Sequence, residues 1–128
     1  MQKELIEKNP ILKLSIEFSL LLIDYCELLQ QNKKFVISRQ LLRSGTAIGA
    51  NCMETQNAES KVDFIHKIKI VLKELRETKV WLILILRTEL VSPRERLEPL
   101  IQECDELISI FVQSVKTAKS RSTTKIRN

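Results

Sequence analysis

The stretch RQLLRSGTAIGANCME, residues 39–54, contains both glycines of the chain, Gly45 and Gly49. Its apolar residues recur at helical spacing, so both glycines are predicted to lie inside a helix, where each costs about 1 kcal/mol relative to alanine. Two glycines one turn apart remove side-chain bulk from one stripe and let another backbone approach closely. The stretch predicts close helix packing at Gly45 and Gly49, against either the same chain or a neighbouring subunit, and we favour the same chain.

The composition outside this stretch also favours long helices. The chain has 128 residues, two glycines, three prolines and 5% aromatic residues. These are too few turn-forming residues for a β fold with many short loops. A chain of this length fits one domain and buries roughly 65–70% of its unfolded surface. We therefore expect a single helical domain.

Helix-start signals stand on both sides of the glycine stretch. Asn9-Pro10 combines a side chain that caps a helix with a proline suited to its first position. This pair predicts a first helix over residues 10–31. Ser60, followed by an acidic residue three positions later, resembles a capping box and predicts a long third helix over about residues 61–89.

The second and fourth helices have less regular boundaries. We expect Ser38 to cap the second helix, which should end near Gln56 with Asn57 in the left-handed conformation. Ser92-Pro93 is expected to open the fourth helix. Pro99 lies inside the apolar pattern of that helix and has no N–H to donate, so it predicts a kink or a late helix start.

Four amphipathic helices joined by short loops predict an all-α fold, an antiparallel up-down-up-down four-helix bundle over residues 1–119. Residues 120–128 are small, polar and basic, and they lack the spacing of a core-forming helix. We expect them to form a disordered basic tail.

The charge is unevenly distributed along the chain. Residues 32–88 carry five acids against eleven bases, whereas residues 89–106 carry six acids against two bases. After Glu106 there are five bases and no acid. A charge map polarised in this way suggests either binding to a polyanion or head-to-tail contacts between subunits.

Residues that carry chemistry are scarce. His66 is the single histidine and has no second ligand at matching spacing, so no metal site is predicted. The serines have no other histidine that would act as a base, and no glycine-rich phosphate loop is present. We predict no catalytic residue and no bound cofactor, and we expect the protein not to be an enzyme.

Five polar residues lie near the predicted core. Asn51 and Glu54 are three residues apart on the second helix, and Glu74 and Glu77 have the same spacing on the third. If the two helices pair antiparallel, Arg43 comes near the two glutamates of the third helix. The group is either a set of solvated surface charges or a structural polar motif that fixes helix register or a subunit contact.

Trp81 belongs to an apolar run, residues 80–86, that has no polar face. A helix that is apolar all round is buried on every side, and a single four-helix bundle would leave one side exposed. The run therefore favours a homo-oligomer with Trp81 at the subunit interface. The alternative is a central helix wrapped by its own chain.

Basic side chains cluster on the third helix and near the carboxyl terminus. Residues of this kind hold phosphates in a salt-dependent way that does not read sequence. No aromatic residues alternate with them, which weakens the case for stacking on single strands. The residues that we predict to contact RNA or DNA are Lys67, Lys69, Lys73, Lys116, Lys119, Arg121, Lys125 and Arg127.

The compartment is inferred from the cysteines and from the amino terminus. Cys26, Cys52 and Cys104 are odd in number and lie among apolar residues, as buried thiols do in a reducing cytoplasm. The first ten residues do not resemble a signal peptide. The most apolar runs are far below the ~20 residues that span a bilayer. We expect a cytoplasmic protein without membrane contact.

The motifs of the second and third predicted helices resemble a known family of four-helix bundles. It includes proteins encoded in intervening sequences of bacterial 23S rRNA genes, and the accessory proteins of diversity-generating retroelements are similar. The resemblance covers roughly residues 10–115. The motifs that carry it are Arg39-Gln40-Leu41-Leu42-Arg43-Ser44, Ile48-Gly49-Ala50-Asn51 with Glu54, Asp63-Phe64-Ile65-His66-Lys67, and Lys73-Glu74-Leu75-Arg76-Glu77-Thr78 with Trp81-Leu82.

The resemblance implies a small cytoplasmic bundle that assembles as a homopentamer. For the retroelement relatives it also implies a basic surface that binds nucleic acid and a reverse transcriptase. The biochemical role of most members is not established. The chain departs from the family pattern at Gly45, where alanine is more usual, and at Thr55, where a glycine usually follows the glutamate.

These observations predict a non-catalytic, homo-oligomeric scaffold or accessory protein that binds nucleic acid non-specifically through its basic surface. The alternative is a structural or adaptor protein that binds a protein partner and no nucleic acid.

Overall fold

The computed structural model describes residues 2–90 and 94–127 of the chain. This part of the chain is helical and contains no strand, which confirms the predicted all-α class. Two short 3₁₀ turns, Thr55–Asn57 and Arg94–Arg96, precede the last two helices. The α-helices are α1 (Gln2–Lys8), α2 (Pro10–Gln31), α3 (Phe35–Glu54), α4 (Lys61–Thr88) and α5 (Leu97–Arg127).

Helix α2 begins and ends where the sequence predicts. The side chain of Asn9 accepts a hydrogen bond from the N–H of Leu12 at 3.1 Å, and Pro10 occupies the first helical position. At the other end, Lys33 takes a left-handed conformation with φ 62°. The N–H of Lys34 then donates to the carbonyl of Leu29 at 2.8 Å. This bond closes a tight turn that reverses the chain.

The predicted start of the second bundle helix at Ser38 is wrong. Because the turn at Lys33 is so short, α3 already begins at Phe35. Ser38 therefore lies inside the helix, fully buried, and its hydroxyl donates to the carbonyl of Cys26 in α2 at 3.2 Å. The residue that looked like a cap joins two helices instead.

The connection between α3 and α4 differs from the prediction where it begins, because α3 ends at Glu54 and the 3₁₀ turn Thr55–Asn57 follows it. Asn57 does not adopt the left-handed conformation, because the chain leaves the 3₁₀ turn through an extended Ala58. Ser60 caps α4 as predicted, and its hydroxyl accepts a hydrogen bond from the N–H of Asp63 at 3.0 Å. A left-handed Glu89 follows the end of the helix.

Helix α5 starts late, as Pro99 predicts. Leu97 opens the α-helix, so the proline falls in the first turn, where backbone N–H groups have no helical partner. The predicted cap Ser92-Pro93 lies outside the described residues. The helix continues past residue 119 to Arg127, because residues 120–127 contain no glycine or proline that would end it. The disorder of the tail stays a prediction.

Neighbours in sequence are also neighbours in space. Helix α2 packs on α3, α3 on α4 and α4 on α5, while α5 closes the bundle against α2. The apolar face of each helix points into one core. Its largest fully buried side chains are Leu12, Phe18, Leu22, Tyr25, Leu29, Leu41, Ile48, Leu75, Leu82, Ile85, Leu97 and Phe111.

Both glycines of α3 face α2 of the same chain. A Cβ at position 45 would lie 2.6 Å from Cδ1 of Leu22, and one at position 49 would lie 3.4 Å from Oγ of Ser19. The hydroxyl of Ser19 donates to the carbonyl of Gly45 at 2.8 Å. The two backbones therefore approach closely enough for a side chain of one helix to bond the backbone of the other.

Candidate nucleic-acid interface

The surface of the bundle has two grooves that matter for the predicted basic residues. One, of about 550 Å³, crosses the end of the bundle. The other, of about 430 Å³, lies between α4 and α5 and is lined by several of those residues. We call this second cavity the basic groove. Residues 69, 72 and 76 line it from α4, and residues 112, 115, 116 and 119 line it from α5. Apart from the adjacent pair 115 and 116, neighbouring positions within each helix are three or four apart, so they share one face. Its lining residues are Lys69, Leu72, Arg76, Val112, Val115, Lys116 and Lys119.

The electrostatic character of the basic groove is one-sided. Four of its seven lining residues are cationic, three are aliphatic and none is acidic. Lys69, Arg76 and Lys116 are exposed, and no acidic group of the described residues forms an ion pair with any of them. Like charges around one concavity create a positive potential that attracts anions.

Other cations of α4 are neutralised within the chain. Lys67 forms an ion pair with Asp63 at 2.9 Å, and Lys79 forms one with Asp105 at 2.6 Å. The hydrogen bond that Lys67 donates to Asp63 raises the pKa of Lys67, and the one that Lys79 donates to Asp105 raises the pKa of Lys79. Lys67 is therefore a less available phosphate ligand than the sequence suggests.

The remaining predicted nucleic-acid residues are dispersed. Lys73 is exposed on α4 but does not line the basic groove. Arg121 lines the separate groove of about 550 Å³ at the end of the bundle, with Ile11 and Phe64. The side chains of Lys125 and Arg127 lie outside the described part of the structure. The basic groove thus brings together three of the eight predicted residues: Lys69, Lys116 and Lys119.

One cation of the basic groove, Arg76, is not among the residues predicted to contact nucleic acid. Arg76 follows Lys69 by seven residues, which is two helical turns, with Leu72 between them on the same face. The spacing signal was present in the sequence. What the sequence alone does not give is the register of α5 against α4, which decides which bases of the two helices meet.

The polar motif divides into two parts. The guanidinium group of Arg43 contacts the carboxylate of Glu77 and lies 3.8 Å from that of Glu74. Trp81 donates its indole N–H to the same Glu77 carboxylate at 3.2 Å. One oxygen of Glu74 is buried without a hydrogen bond, which leaves Arg43 as the charge that compensates it. These four residues link α3 to α4.

The other two members of the motif lie apart from this network. The amide of Asn51 donates to the carbonyl of Ala47 one turn earlier, at 2.9 Å. Glu54 is exposed at the end of α3. The hydrogen bond of Asn51 is local to α3 and does not join the two helices.

A buried line of hydroxyl contacts, which the sequence analysis did not anticipate, joins the helices as well. Thr78 of α4 donates to the hydroxyl of Ser44 of α3 at 2.9 Å, and both side chains are fully buried. Ser38 makes the corresponding contact between α3 and α2. Buried polar atoms require partners, so these bonds fix which residues of neighbouring helices face each other.

Trp81 is half-buried at the edge of an apolar surface. With Phe35, Val36 and Leu90 it lines a cavity of about 370 Å³ at the end of the bundle where α3 begins. Phe35 is 56% exposed and Val36 is 75% exposed. Val80, beside the tryptophan, is also exposed. The role of Trp81 at a subunit interface stays a prediction.

The three cysteines are free and buried. Burial raises the pKa of the Cys104 thiol to about 12 and that of Cys26 to about 11, so both are protonated at neutral pH. A protonated, buried thiol is a poor nucleophile. Within the described residues, no three His, Cys, Asp or Glu side chains are grouped closely enough to hold a metal ion. None of the described helices is both long and apolar enough to cross a bilayer.

Comparison with known proteins extends these findings. A family model described as 23S rRNA-intervening sequence protein matches residues 7–113. Among solved structures, the chain is similar to the 1.70 Å crystal structure of a protein of unknown function from the S23 ribosomal protein family of Bacteroides thetaiotaomicron. The two are 39% identical with a TM-score of 0.78, and the match covers 83% of this chain and 98% of that one. No curated protein matches the chain.

Proposed function

Because the chain belongs to the 23S rRNA-intervening sequence protein family, as its helix motifs predict, we propose that it is a non-catalytic scaffold or accessory protein that binds nucleic acid. The observation that carries this proposal is the basic groove, where four cations meet and where none of the described lining residues is acidic. Phosphate groups are the polyanionic ligands that such a groove attracts without regard to base sequence.

The charges of the groove set the expected strength of binding. If all four cations contact phosphates, the logarithm of the binding constant should fall with the logarithm of salt concentration with a slope of about −3 to −4. The groove walls otherwise consist of Leu72, Val112 and Val115. Aliphatic groups do not read the hydrogen-bonding edges of bases, so binding is non-specific.

Assembly into a homo-oligomer, a pentamer by family resemblance, is part of the proposal. Its support is the exposed apolar surface at Phe35, Val36 and Val80, beside Trp81. Several copies around one axis would present several basic grooves to one polynucleotide, which raises the affinity without any new contact. In a retroelement context, a reverse transcriptase would be the protein partner implied by the resemblance.

Titration of a fluorescent polynucleotide at two salt concentrations tests the proposal. We expect binding at low salt that weakens as salt rises. The double variant Lys69→Gln/Lys116→Gln should bind more weakly and should reduce the slope by about 1.4 to 1.8. Lys8→Gln, an exposed lysine at the end of α1, is the matched control and should leave both quantities unchanged. Absence of binding at low salt refutes the proposal.

A protein adaptor without nucleic-acid binding is the second candidate function. The observation that favours it is the exposure of Phe35 and Val36, because large apolar side chains grouped on a surface are typical of protein interfaces. This candidate predicts an oligomer by sedimentation together with no affinity for nucleic acid at any salt concentration. The titration above therefore separates the two candidates.

A further inference from the structure

We propose that the basic groove holds a single polynucleotide strand, with phosphates on its two cationic rims and bases against its aliphatic floor. The inference rests on the proposed nucleic-acid binding and adds the class of ligand. One rim is formed by Lys69 and Arg76 of α4, and the other by residues 116 and 119 of α5. A surface that served phosphates alone would require only the rims.

The floor of the groove is the observation that selects the ligand. Val112 and Val115 are partly exposed between the rims, and Leu72 lies beneath them with 5% of its surface exposed. Among the described residues that line the groove, none is aromatic. The aliphatic floor nevertheless provides an apolar surface for the face of an unpaired base, because every base has an apolar face regardless of its sequence.

The dimensions of the groove exclude a duplex from the floor. Two packed helices lie about 8–10 Å apart, so the groove between them is narrow. A duplex keeps its bases stacked inside and presents phosphates, so it would touch the rims and leave the floor uncovered. An unpaired strand has free base faces. The volume of about 430 Å³ falls within the range of pockets that hold small organic groups, and it is sufficient for a base.

The length of the groove favours a strand over an acidic helix from a protein. Lys69 and Arg76 are seven residues apart, which corresponds to about 10 Å along the axis of α4. This distance spans only a few phosphates of a strand. A docked amphipathic helix of about 12 residues would extend for roughly 18 Å, well beyond the pair of cations on that rim.

Four probes separate the contributions of bases and phosphates. They are a single-stranded dodecamer of mixed sequence, its duplex, an abasic dodecamer with the same number of phosphates, and an acidic amphipathic peptide. At low salt we expect the single strand to bind about fivefold more tightly than the abasic strand, since burial of about 40 Å² of apolar surface against the aliphatic floor contributes this much. The duplex should have no such advantage: per phosphate, it should bind no more tightly than the abasic strand.

Two variants of the groove assign the two contributions to residues. Val115→Thr retains the shape of the floor but adds a hydroxyl, so it should remove most of the advantage of the base-containing strand and leave affinity for the abasic strand unchanged. Lys116→Gln should weaken binding to both strands and reduce the salt slope by about 0.7. Circular dichroism checks that each variant folds, and Val112→Thr is the substitute if Val115→Thr does not.

The outcomes distinguish this inference from the proposed function. If the single strand, the duplex and the abasic strand bind equally per phosphate, the strand inference is overturned and nucleic-acid binding stands. If no polynucleotide binds at low salt, both are overturned. If the acidic peptide binds more tightly than the single strand, the groove belongs to a protein partner.

Discussion

Alanine substitution at the two glycines should have opposite effects on stability. Gly45 and Gly49 lie one turn apart in the same helix, so each gains about 1 kcal/mol of helix propensity when it becomes alanine. Neither has a positive φ that would strain a side chain. The difference between the two variants therefore measures the room that α2 leaves at each position.

At Gly45 the new methyl group has no room. Its Cβ would lie 2.6 Å from Cδ1 of Leu22 and 3.4 Å from Cβ of that residue. Leu22 is fully buried, so its terminal carbons cannot turn towards solvent, and either the rotamer of Leu22 or the spacing of the helices must change. Overpacking of this kind costs about 1–3 kcal/mol, which exceeds or cancels the gain in propensity. We expect Gly45→Ala to lower the free energy of unfolding by about 0–2 kcal/mol.

At Gly49 the same methyl group makes ordinary contacts. Its Cβ would lie 3.4 Å from Oγ of Ser19 and 3.5 Å from Cγ1 of Ile16. We expect Gly49→Ala to raise the free energy of unfolding by about 0.5–1 kcal/mol. Urea unfolding followed by circular dichroism measures both variants, at two protein concentrations because association would shift the midpoint.

A double variant identifies the source of the difference. In a Leu22→Val background the terminal carbon that clashes is shortened, so Gly45→Ala should be less destabilising there than in the wild type. Gly49→Ala should have the same effect in both backgrounds, since it does not touch Leu22. If Gly45→Ala stabilises the wild-type protein as much as Gly49→Ala does, the close approach of α3 to α2 at position 45 is refuted.

Three further substitutions test buried and paired groups. Thr78→Val leaves the hydroxyl of Ser44 without its donor and should cost about 1 kcal/mol in urea unfolding, but less when Ser44→Ala is already present. Arg43→Met removes the positive charge that compensates the buried carboxylate of Glu74, so it should lower the free energy of unfolding by about 1–2 kcal/mol. Glu74→Gln should reduce this loss, because it removes the negative charge. Burial raises the pKa of Cys104 from its ordinary value of 9.0 to about 12, so the unfolded state loses its thiol proton first as pH rises above 9. The stability contributed by this group should therefore be fully present below pH 9 and fall by up to about 1.4 kcal/mol per pH unit above it, whereas Cys104→Ala should lack this decline. If the free energy of unfolding falls equally steeply with pH in the wild type and in Cys104→Ala, the raised pKa of Cys104 is contradicted.

Local signals predicted the helices that begin with a capping side chain. Asn9-Pro10 and Ser60 form their capping bonds within three residues, so the chain nearby determines them. The start of α3 could not be predicted in the same way. It follows from a left-handed Lys33, and lysine has no intrinsic preference for that conformation. Ser38 therefore lies inside α3, where its hydroxyl forms a buried hydrogen bond to α2.

The candidate site was predictable in composition and not in geometry. The sequence identified most of the cations, because charge is read directly from residue type. The four-residue spacing of Asp63 and Lys67 on one helix is a sequence signal for their ion pair, although the interpretation of Lys67 as a phosphate ligand did not use it. That Arg76 faces the second half of α5 could not be known, because it depends on how the two helices are placed in three dimensions. The aliphatic floor depends on the same register, and a sequence pattern alone assigns those valines to the core.

The polarised charge map left two alternatives, polyanion binding and head-to-tail contact between subunits. Within the described residues, part of the acidic segment is neutralised by its own chain. Asp105 pairs with Lys79, and Glu98 pairs with Arg94. The cations of the basic groove have no comparable acid on its walls. A neighbouring subunit would therefore meet an acidic surface already weakened by internal pairs, whereas an external polyanion would meet Lys69, Arg76 and Lys116, which form no ion pair within the described residues. This asymmetry favours an external polyanion as the ligand of the basic groove.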